Sequence, residues 1–340
     1  MLKINMFSTA DKVKGQGVGS AYDELISMLK KHFPQEFKIT INSYKTADIS
    51  HYHTINPSFY LSTFSKKRGR KIGYVHFIPE TLEGSLKIPQ PFKGIFYRYV
   101  IAFYKRMDHI VVVNPSFIPK LEKYGIMADK ITYIPNFVSK NEFYAVDSQQ
   151  KRALRAAHGY DQNRFTVLGS GQIQTRKGVL DFVELAKRNP TIQFIWTGGF
   201  SFGKITEGYS QLEKIVKDPP ANLSFPGIID REKMVTYYNM ADLFLLPSYN
   251  ELFPMSVLEA FATNTPVMLR DLKLYQSIID GYYLAAKDVD EMNDQLLELI
   301  NDQTKLGQLK LATQRASQQY SESRLAKVWH DFYTQQAREG

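Results

Sequence analysis

The chain has 340 residues, 44% of them apolar and 23% charged, which is the balance of a globular protein with length for two domains. No stretch nears the roughly 18 consecutive apolar residues of a membrane-crossing helix, and the absence of cysteine removes any disulfide framework or thiolate metal site. A net charge of +9 suits nucleic acid, an anionic membrane or a phosphorylated substrate, so its placement has to decide among them.

The start, residues 1–15, reads as a short strand running into polar residues rather than as a signal peptide, and the expected location is cytoplasmic. Residues 3–9 form that strand. Gly15, Gly17 and Gly19 follow it and either let the backbone approach a ligand at the next helix N-terminus or make a structural turn. Their spacing does not meet the dinucleotide fingerprint. Residues 20–33 are an amphipathic helix, and 37–43 and 48–54 are strands, the second ending in His51 and His53. Without a third ligand that pair does not make a metal site. Five of the six residues from Lys66 to Lys71 are basic: Lys66, Lys67, Arg68, Arg70 and Lys71. The strand 70–77 carries His76 at its carboxyl end, the edge at which open α/β sheets bind ligands.

From Gly84 to Met107 there is no acid, while Lys87, Lys93, Arg98, Lys105 and Arg106 are basic. Residues 87–94 read as an exposed loop, and Phe92, Phe96, Tyr99 and Phe103 then share one helical stripe, as domain core or as an interfacial surface. With the Lys66–Lys71 run, the combination suits anionic lipid, whereas no nucleic-acid-binding motif is present. Strands at 109–116 and 131–136 close the first half, and a linker is expected near 140–160.

The alternation then begins again. Strands are expected at 165–172, 192–199, 222–227, 241–248 and 265–270, with helices at 178–189, 231–241 and 256–263 and a last helix at 323–337. Two such halves make two doubly wound α/β domains. The most informative stretch is 247–267, a strand end, a loop and a helix N-terminus, with Pro254 suited to the first helical position. Glu251 lies on the loop and Glu259 in the first turns of the helix. The helix terminus suits an anion, and the carboxylates can accept hydrogen bonds from hydroxyls on either side of it. A ligand with sugar, diphosphate and ribose in series fits.

This stretch closely resembles the signature of retaining GT-B glycosyltransferases of family four, which use nucleotide sugars. The resemblance implies two Rossmann-like domains facing across a cleft, spanning 1–145 and 146–320, with a C-terminal helix, 321–340, crossing back to the first. It implies that Glu251 binds the transferred sugar, that backbone amides at Phe253, Pro254, Met255 and Ser256 hold sugar and phosphate, and that Glu259 binds ribose. His76 is placed as the family histidine that contacts the sugar. The segment 169–179 resembles the Gly-Arg-x4-Lys-Gly loop: Lys177 matches the lysine that neutralises the diphosphate, but Gln172 replaces the arginine, so either Arg176 supplies that charge or Lys177 acts mainly alone. Gly17 and Gly19 would face the donor phosphates, and Gly227 and Ile228 the nucleotide base. No metal and no cofactor beyond the UDP-sugar substrate are implied.

The chain as a whole looks like bacterial glycolipid synthases that extend glucosyl-diacylglycerol. The expected function is retaining transfer of glucose or galactose from a UDP-sugar to a glycosyl-diacylglycerol at the inner face of the cell membrane, with Lys66–Lys71, Phe92 and Phe96 on the lipid side. The alternatives are a same-fold enzyme acting on diacylglycerol itself or on a wall or capsule polymer, and a non-catalytic GT-B partner subunit.

Overall fold

The structure, a computed structural model, describes the whole chain except residues 11–16, 80–89, 201–202, 204–205, 207 and 252; at 17–18 and 90–91 it describes the backbone alone. In chain order the elements are β1 (Leu2–Phe7), α1 (Gly17–His32), β2 (Phe37–Ile41), β3 (Ile49–Tyr52), α2 (Pro57–Ser62), β4 (Arg70–Val75), α3 (Gln90–Lys105), β5 (His109–Val112), α4 (Ile118–Lys123) and β6 (Ile131–Tyr133). Next come α5 (Ser148–Ala157), β7 (Thr166–Ser170), α6 (Val179–Arg188), β8 (Gln193–Thr197), α7 (Tyr209–Lys217), β9 (Leu223–Gly227), α8 (Arg231–Met240) and β10 (Leu243–Leu246). The series ends with α9 (Met255–Ala262), β11 (Val267–Arg270), α10 (Lys273–Gln276), β12 (Leu284–Ala286), α11 (Val289–Asn301), α12 (Gln303–Gln319) and α13 (Glu322–Arg338).

Two compact units result: Met1–Phe137 together with Glu322–Gly340, and Val138–Ser321. The first holds a six-stranded sheet in the order β2-β1-β3-β4-β5-β6, all parallel. The second holds a six-stranded parallel sheet in the order β12-β11-β10-β7-β8-β9. Parallel strands covered on both faces are apolar nearly throughout. Accordingly Leu243, Phe244, Leu245 and Leu246 of β10 are fully buried. In such sheets the ligand site lies beyond the strand carboxyl ends where the strand order reverses. That point falls between β7 and β10 in the second unit, and between β1 and β3 in the first.

The last helix packs on the first unit. Leu325, Ala326, Trp329, Phe332 and Tyr333 form its buried stripe at helical spacing. The Trp329 ring lies 5.7 Å from that of Tyr74, and Glu322 accepts hydrogen bonds from Lys31 (2.9 Å) and His32 (2.7 Å) of α1.

Two sequence expectations are corrected. Half of the linker expected near 140–160 is instead helix: α5 fills 148–157, opened by a capping box in which Asp147 accepts from the Gln149 and Gln150 amides, both at 2.8 Å. Arg155 holds that helix to its unit, donating through Nε to the Met240 carbonyl (2.8 Å) and through Nη2 to Asp242 (2.6 Å). A helix fixed by a buried guanidinium leaves little hydrophobic pattern to read. Residues 90–94 are likewise not an exposed loop, since α3 already begins at Gln90. Lys87, with 88 and 89, lies outside the described residues. Among the described residues no helix is long and apolar enough to cross a membrane.

Candidate active site

In the second unit two loops meet at the switch point. The loop after β7 runs through a 3-10 turn, Thr175–Lys177, to Gly178, which adopts φ 69° before α6 begins. A Cβ on Gly178 would stand 2.1 Å from the Pro247 carbonyl oxygen, so the close approach of the loop after β10 requires glycine here. The Tyr249 amide donates to the Arg176 carbonyl at 2.9 Å, and Arg176 Nη1 donates to the Asn250 carbonyl at 2.5 Å. These bonds stitch the two loops together.

Between them Lys177 Nζ donates to Glu251 Oε1 at 2.5 Å, and Arg176 Nη1 lies 3.9 Å from the same oxygen. Burial pushes the Glu251 carboxyl up, but Lys177 and Arg176 outweigh it and hold the group below the ordinary glutamate range. Burial pulls the Lys177 ammonium below the ordinary lysine value, against the opposing pull of Glu251. Glu251 is therefore a carboxylate at neutral pH. Its charge and that of Lys177 neutralise each other until something takes their place.

Pro254 caps α9, one position earlier than the first helical residue expected of it. Phe253 and Met255 are buried, the Phe253 ring 5.3 Å from that of Tyr320, so at these positions backbone rather than side chain is available to a ligand. Ser256 is half-buried. Glu259 accepts from Arg231 Nη1 (2.8 Å) on Oε1 and from the Tyr238 hydroxyl (2.7 Å) on Oε2. Burial first, and Glu259 second, push the Tyr238 hydroxyl well above its ordinary value, so it stays a donor. Arg231 also meets Glu142 at 3.2 Å and covers the Phe143 ring at 5.0 Å. The sequence named Glu259 but neither of these partners; nothing in the spacing of residues 231, 238 and 259 marks them as one cluster. Gln172 accepts from Gln174 Nε2 at 3.0 Å. Gly227 ends β9 at φ 84°, and Ile228 beside it is half exposed.

In the first unit Gly17 and Gly19 are helical, in the first turn of α1, rather than in a loop; Gly15 lies outside the described residues. A Cβ on Gly19 would stand 3.1 Å from the Ala10 carbonyl oxygen, so this glycine lets the helix lie close to the chain leaving β1. His76 follows β4 directly and is buried, as are His51 and His53 at the end of β3. The His51 and His53 rings lie 4.2 Å apart and those of His53 and His76 5.9 Å apart. His51 Nδ1 shares a hydrogen bond of 2.7 Å with the Tyr333 hydroxyl of α13. Nε2 of His51, both nitrogens of His53 and Nε2 of His76 have no hydrogen-bond partner among the described residues. Burial pulls His51 and His76 down to about 3, and pulls His53 well below its ordinary value. All three are neutral at pH 7. Among the described residues no group of three or more His, Cys, Asp or Glu is placed to hold a metal ion.

The basic run of the first unit is less uniform than its sequence. Lys66 and Lys67 are exposed, but Arg68 is buried, its Nη1 donating to the Ser43 carbonyl and its Nη2 to Lys45, both at 3.1 Å. Arg70 and Lys71 begin β4 and are paired with Glu339 and Asp108, each at 2.7 Å. Arg68 therefore leaves the lipid-facing set, and Arg70 and Lys71 have their charge answered within the protein. Phe92 is 63% exposed and Phe96 half-buried, while Phe103 is core. Three exposed apolar side chains join Phe92 that were not singled out: Ile95 (67%), Leu61 (69%) and Phe64 (60%). Phe92, Ile95 and Tyr99 share a face at i, i+3 and i+7. Tyr60 bridges that face to Phe64, with ring centroids 5.6 Å away on each side. The i, i+3 spacing of 92 with 95 and of 61 with 64 was the available signal.

Residues 150–318 match the family described as glycosyl transferases group 1, and residues 25–142 match glycosyltransferase family 4. The chain is 51% identical over 340 residues to the alpha-galactosylglucosyldiacylglycerol synthase of Streptococcus pneumoniae (strain ATCC BAA-255 / R6), covering 100% of this chain and 91% of that protein. It is 29% identical over 188 residues to the processive diacylglycerol alpha-glucosyltransferase of Acholeplasma laidlawii, covering 53% and 55% respectively. Among solved structures, Anabaena HepE in complex with UDP and glucose superimposes with a TM-score of 0.79 at 16% identity, over 98% of this chain and 100% of that one. Sucrose-phosphate synthase from Thermosynechococcus elongatus does so with 0.81 at 16% identity, over 100% of both. At such identities the structures share the fold.

Proposed function

The chain belongs to the GT-B glycosyltransferases of group 1 and family 4, and from that premise we propose that it is a hexosyltransferase moving glucose or galactose from a UDP-sugar to a glycosyl-diacylglycerol, with retention at the anomeric carbon. The observation that carries the reading is the Lys177–Glu251 pair, buried at the switch point beside the N-terminus of α9. A UDP-sugar answers both members at once. Its diphosphate takes Lys177, and a sugar hydroxyl donates to Glu251, so the pair opens without leaving either charge alone. As the anomeric C–O bond breaks, negative charge grows on the diphosphate, where Lys177 and the first amides of α9 stabilise it. Arg176, held over the same carboxylate, is assigned the charge of the arginine missing at Gln172. A phosphate oxygen takes the proton of the attacking acceptor hydroxyl, and that hydroxyl bonds to the anomeric carbon on the face UDP leaves. Glu259, fixed by Arg231 and Tyr238, keeps lone pairs for a ribose hydroxyl. His76 is assigned to the sugar on the resemblance alone.

The test is incubation with radiolabelled UDP-glucose or UDP-galactose and a panel of diacylglycerol and glucosyl-diacylglycerol, followed by separation of the lipids. The expected product is a labelled diglycosyl lipid. Labelled diacylglycerol alone, or label in no lipid, would overturn the acceptor.

The lipid side of the proposal rests on a different observation. Exposed Phe92, Ile95, Leu61 and Phe64 lie in the unit that carries exposed Lys66 and Lys67. Apolar side chains beside lysines suit an anionic bilayer, whereas a nucleic-acid backbone has no use for them. Peripheral attachment at the inner face of the cell membrane follows. The double variant Phe92→Ser with Ile95→Ser should lower sedimentation with phosphatidylglycerol vesicles by roughly tenfold or more, at about 25 cal/mol per Å² of apolar surface. Equal sedimentation of variant and parent would remove the patch from the membrane.

A further inference from the structure

Arg270, the last residue of β11, is buried. A charge there is unusual for the core of a parallel sheet, and its contacts show where it is spent. Nε donates to the Pro247 carbonyl at 3.1 Å and Nη1 to the Lys287 carbonyl at 2.8 Å, while Nη2 pairs with the Asp181 carboxylate. The guanidinium plane also covers the Tyr249 ring at 4.1 Å, and the Tyr249 hydroxyl donates to the same Asp181 at 2.7 Å. Arg270 thus holds the loop after β10 at Pro247 and at Tyr249, four and two residues before Glu251. Through the Tyr249 amide on the Arg176 carbonyl, the grip extends to the turn that carries Lys177.

We infer that Arg270 is a positioning residue: with Asp181 and Tyr249 it sets the geometry of the Lys177–Glu251 pair without itself touching the donor. A buried ion pair seldom adds net stability over an apolar replacement, so its worth lies in the arrangement it imposes. The planar fork reaches two carbonyls and a carboxylate together, which a lysine cannot copy. A misplacement of about 1 Å at a reacting centre costs up to roughly 10²-fold in rate.

This inference rests on the site proposed above, and its test separates the two. Arg270→Lys, made in the full chain, should lower kcat by roughly 10- to 100-fold with a much smaller loss of UDP affinity by calorimetry, because UDP meets Lys177 but lacks the sugar that Glu251 orients. Added to Glu251→Gln, the same change should cost less than about twofold more, because residues acting as one unit are not additive. Tyr249→Phe keeps the ring and removes only the bond to Asp181; it gives a smaller loss with the same non-additivity. A readout without turnover is the acylation rate of Lys177, followed by peptide mass spectrometry, which should rise in Arg270→Lys as the pair loosens. Equal losses in the two backgrounds, or unchanged Lys177 labelling, overturn the positioning role while leaving the site intact. Full activity in Glu251→Gln overturns the site and this inference with it.

Discussion

Lys177→Ala and Glu251→Gln are each expected to lower sugar transfer by roughly 10²- to 10³-fold, the usual loss when an oriented electrostatic group is removed from a buried site. The two should fail differently. Lys177 meets the diphosphate, so its loss weakens UDP affinity as well as kcat. Glu251 meets only the sugar, so its replacement lowers kcat and leaves UDP affinity close to that of the parent. Calorimetry with UDP beside steady-state kinetics reads both. Stability must be followed in parallel, because removing one partner of a buried pair costs about 3–5 kcal/mol and Lys177→Ala leaves Glu251 facing Arg176 alone. Gln at 251 keeps the acceptor oxygen for Lys177 and should melt closer to the parent. Normal turnover in both variants would remove the pair from the chemistry.

The second large effect is loss of stability in acid. His51 and His76 have folded values of about 3 against an ordinary 6.5, and His53 is shifted in the same direction. The folded state holds these rings neutral, so between pH 6.5 and about 3 the unfolded chain binds more protons, and stability falls as pH falls. Above pH 6.5 both states are neutral and the contribution is flat. One pH unit below the unfolded value is worth about 1.4 kcal/mol per group, so at pH 5 His51 and His76 each remove about 2 kcal/mol, and His53 adds to the loss. Tyr74 and Tyr333, which pack on these rings, are pushed upward by burial and stay protonated throughout this range. A total of about 4 kcal/mol or more is a large part of the 5–15 kcal/mol typical of a folded domain. Urea melts at pH 7.5 and pH 5 should show it, and a midpoint unchanged between them would mean the rings are not buried as neutral groups.

The parts of this protein that depend on neighbours along the chain were legible from its sequence. Apolar strand runs and amphipathic helices are local patterns of period 2 and 3.6, so strands β1 to β11 and helices α1, α3, α6, α8, α9 and α13 could be read, whereas β12 and the helices α2, α4, α5, α7, α10, α11 and α12 were missed. The Lys177 loop and the Glu251–Glu259 stretch are short segments whose composition and spacing mark a strand end feeding a helix N-terminus. What they hold on to could not be read. Lys177 and Glu251 are 74 residues apart, and only the adjacency of β7 and β10 brings them within a hydrogen bond. Arg231 and Tyr238 on Glu259, and Arg270 gripping Pro247 and Tyr249, are of the same kind.

The charges show the division most clearly. The sequence determined that Lys66–Lys71 is a basic run, but tertiary structure decided that Arg68 is buried on carbonyls, that Arg70 and Lys71 are paired, and that Lys66 and Lys67 face water. Likewise it placed His51, His53 and His76 at strand ends, while the pairing of β3 with β4 and the packing of α13 made them one neutral, buried group. Local pattern follows from the backbone period and apolar burial, both written in consecutive residues. The pairing and protonation of a polar side chain follow from what the fold brings within about 3 Å of it, and that is set by strand order.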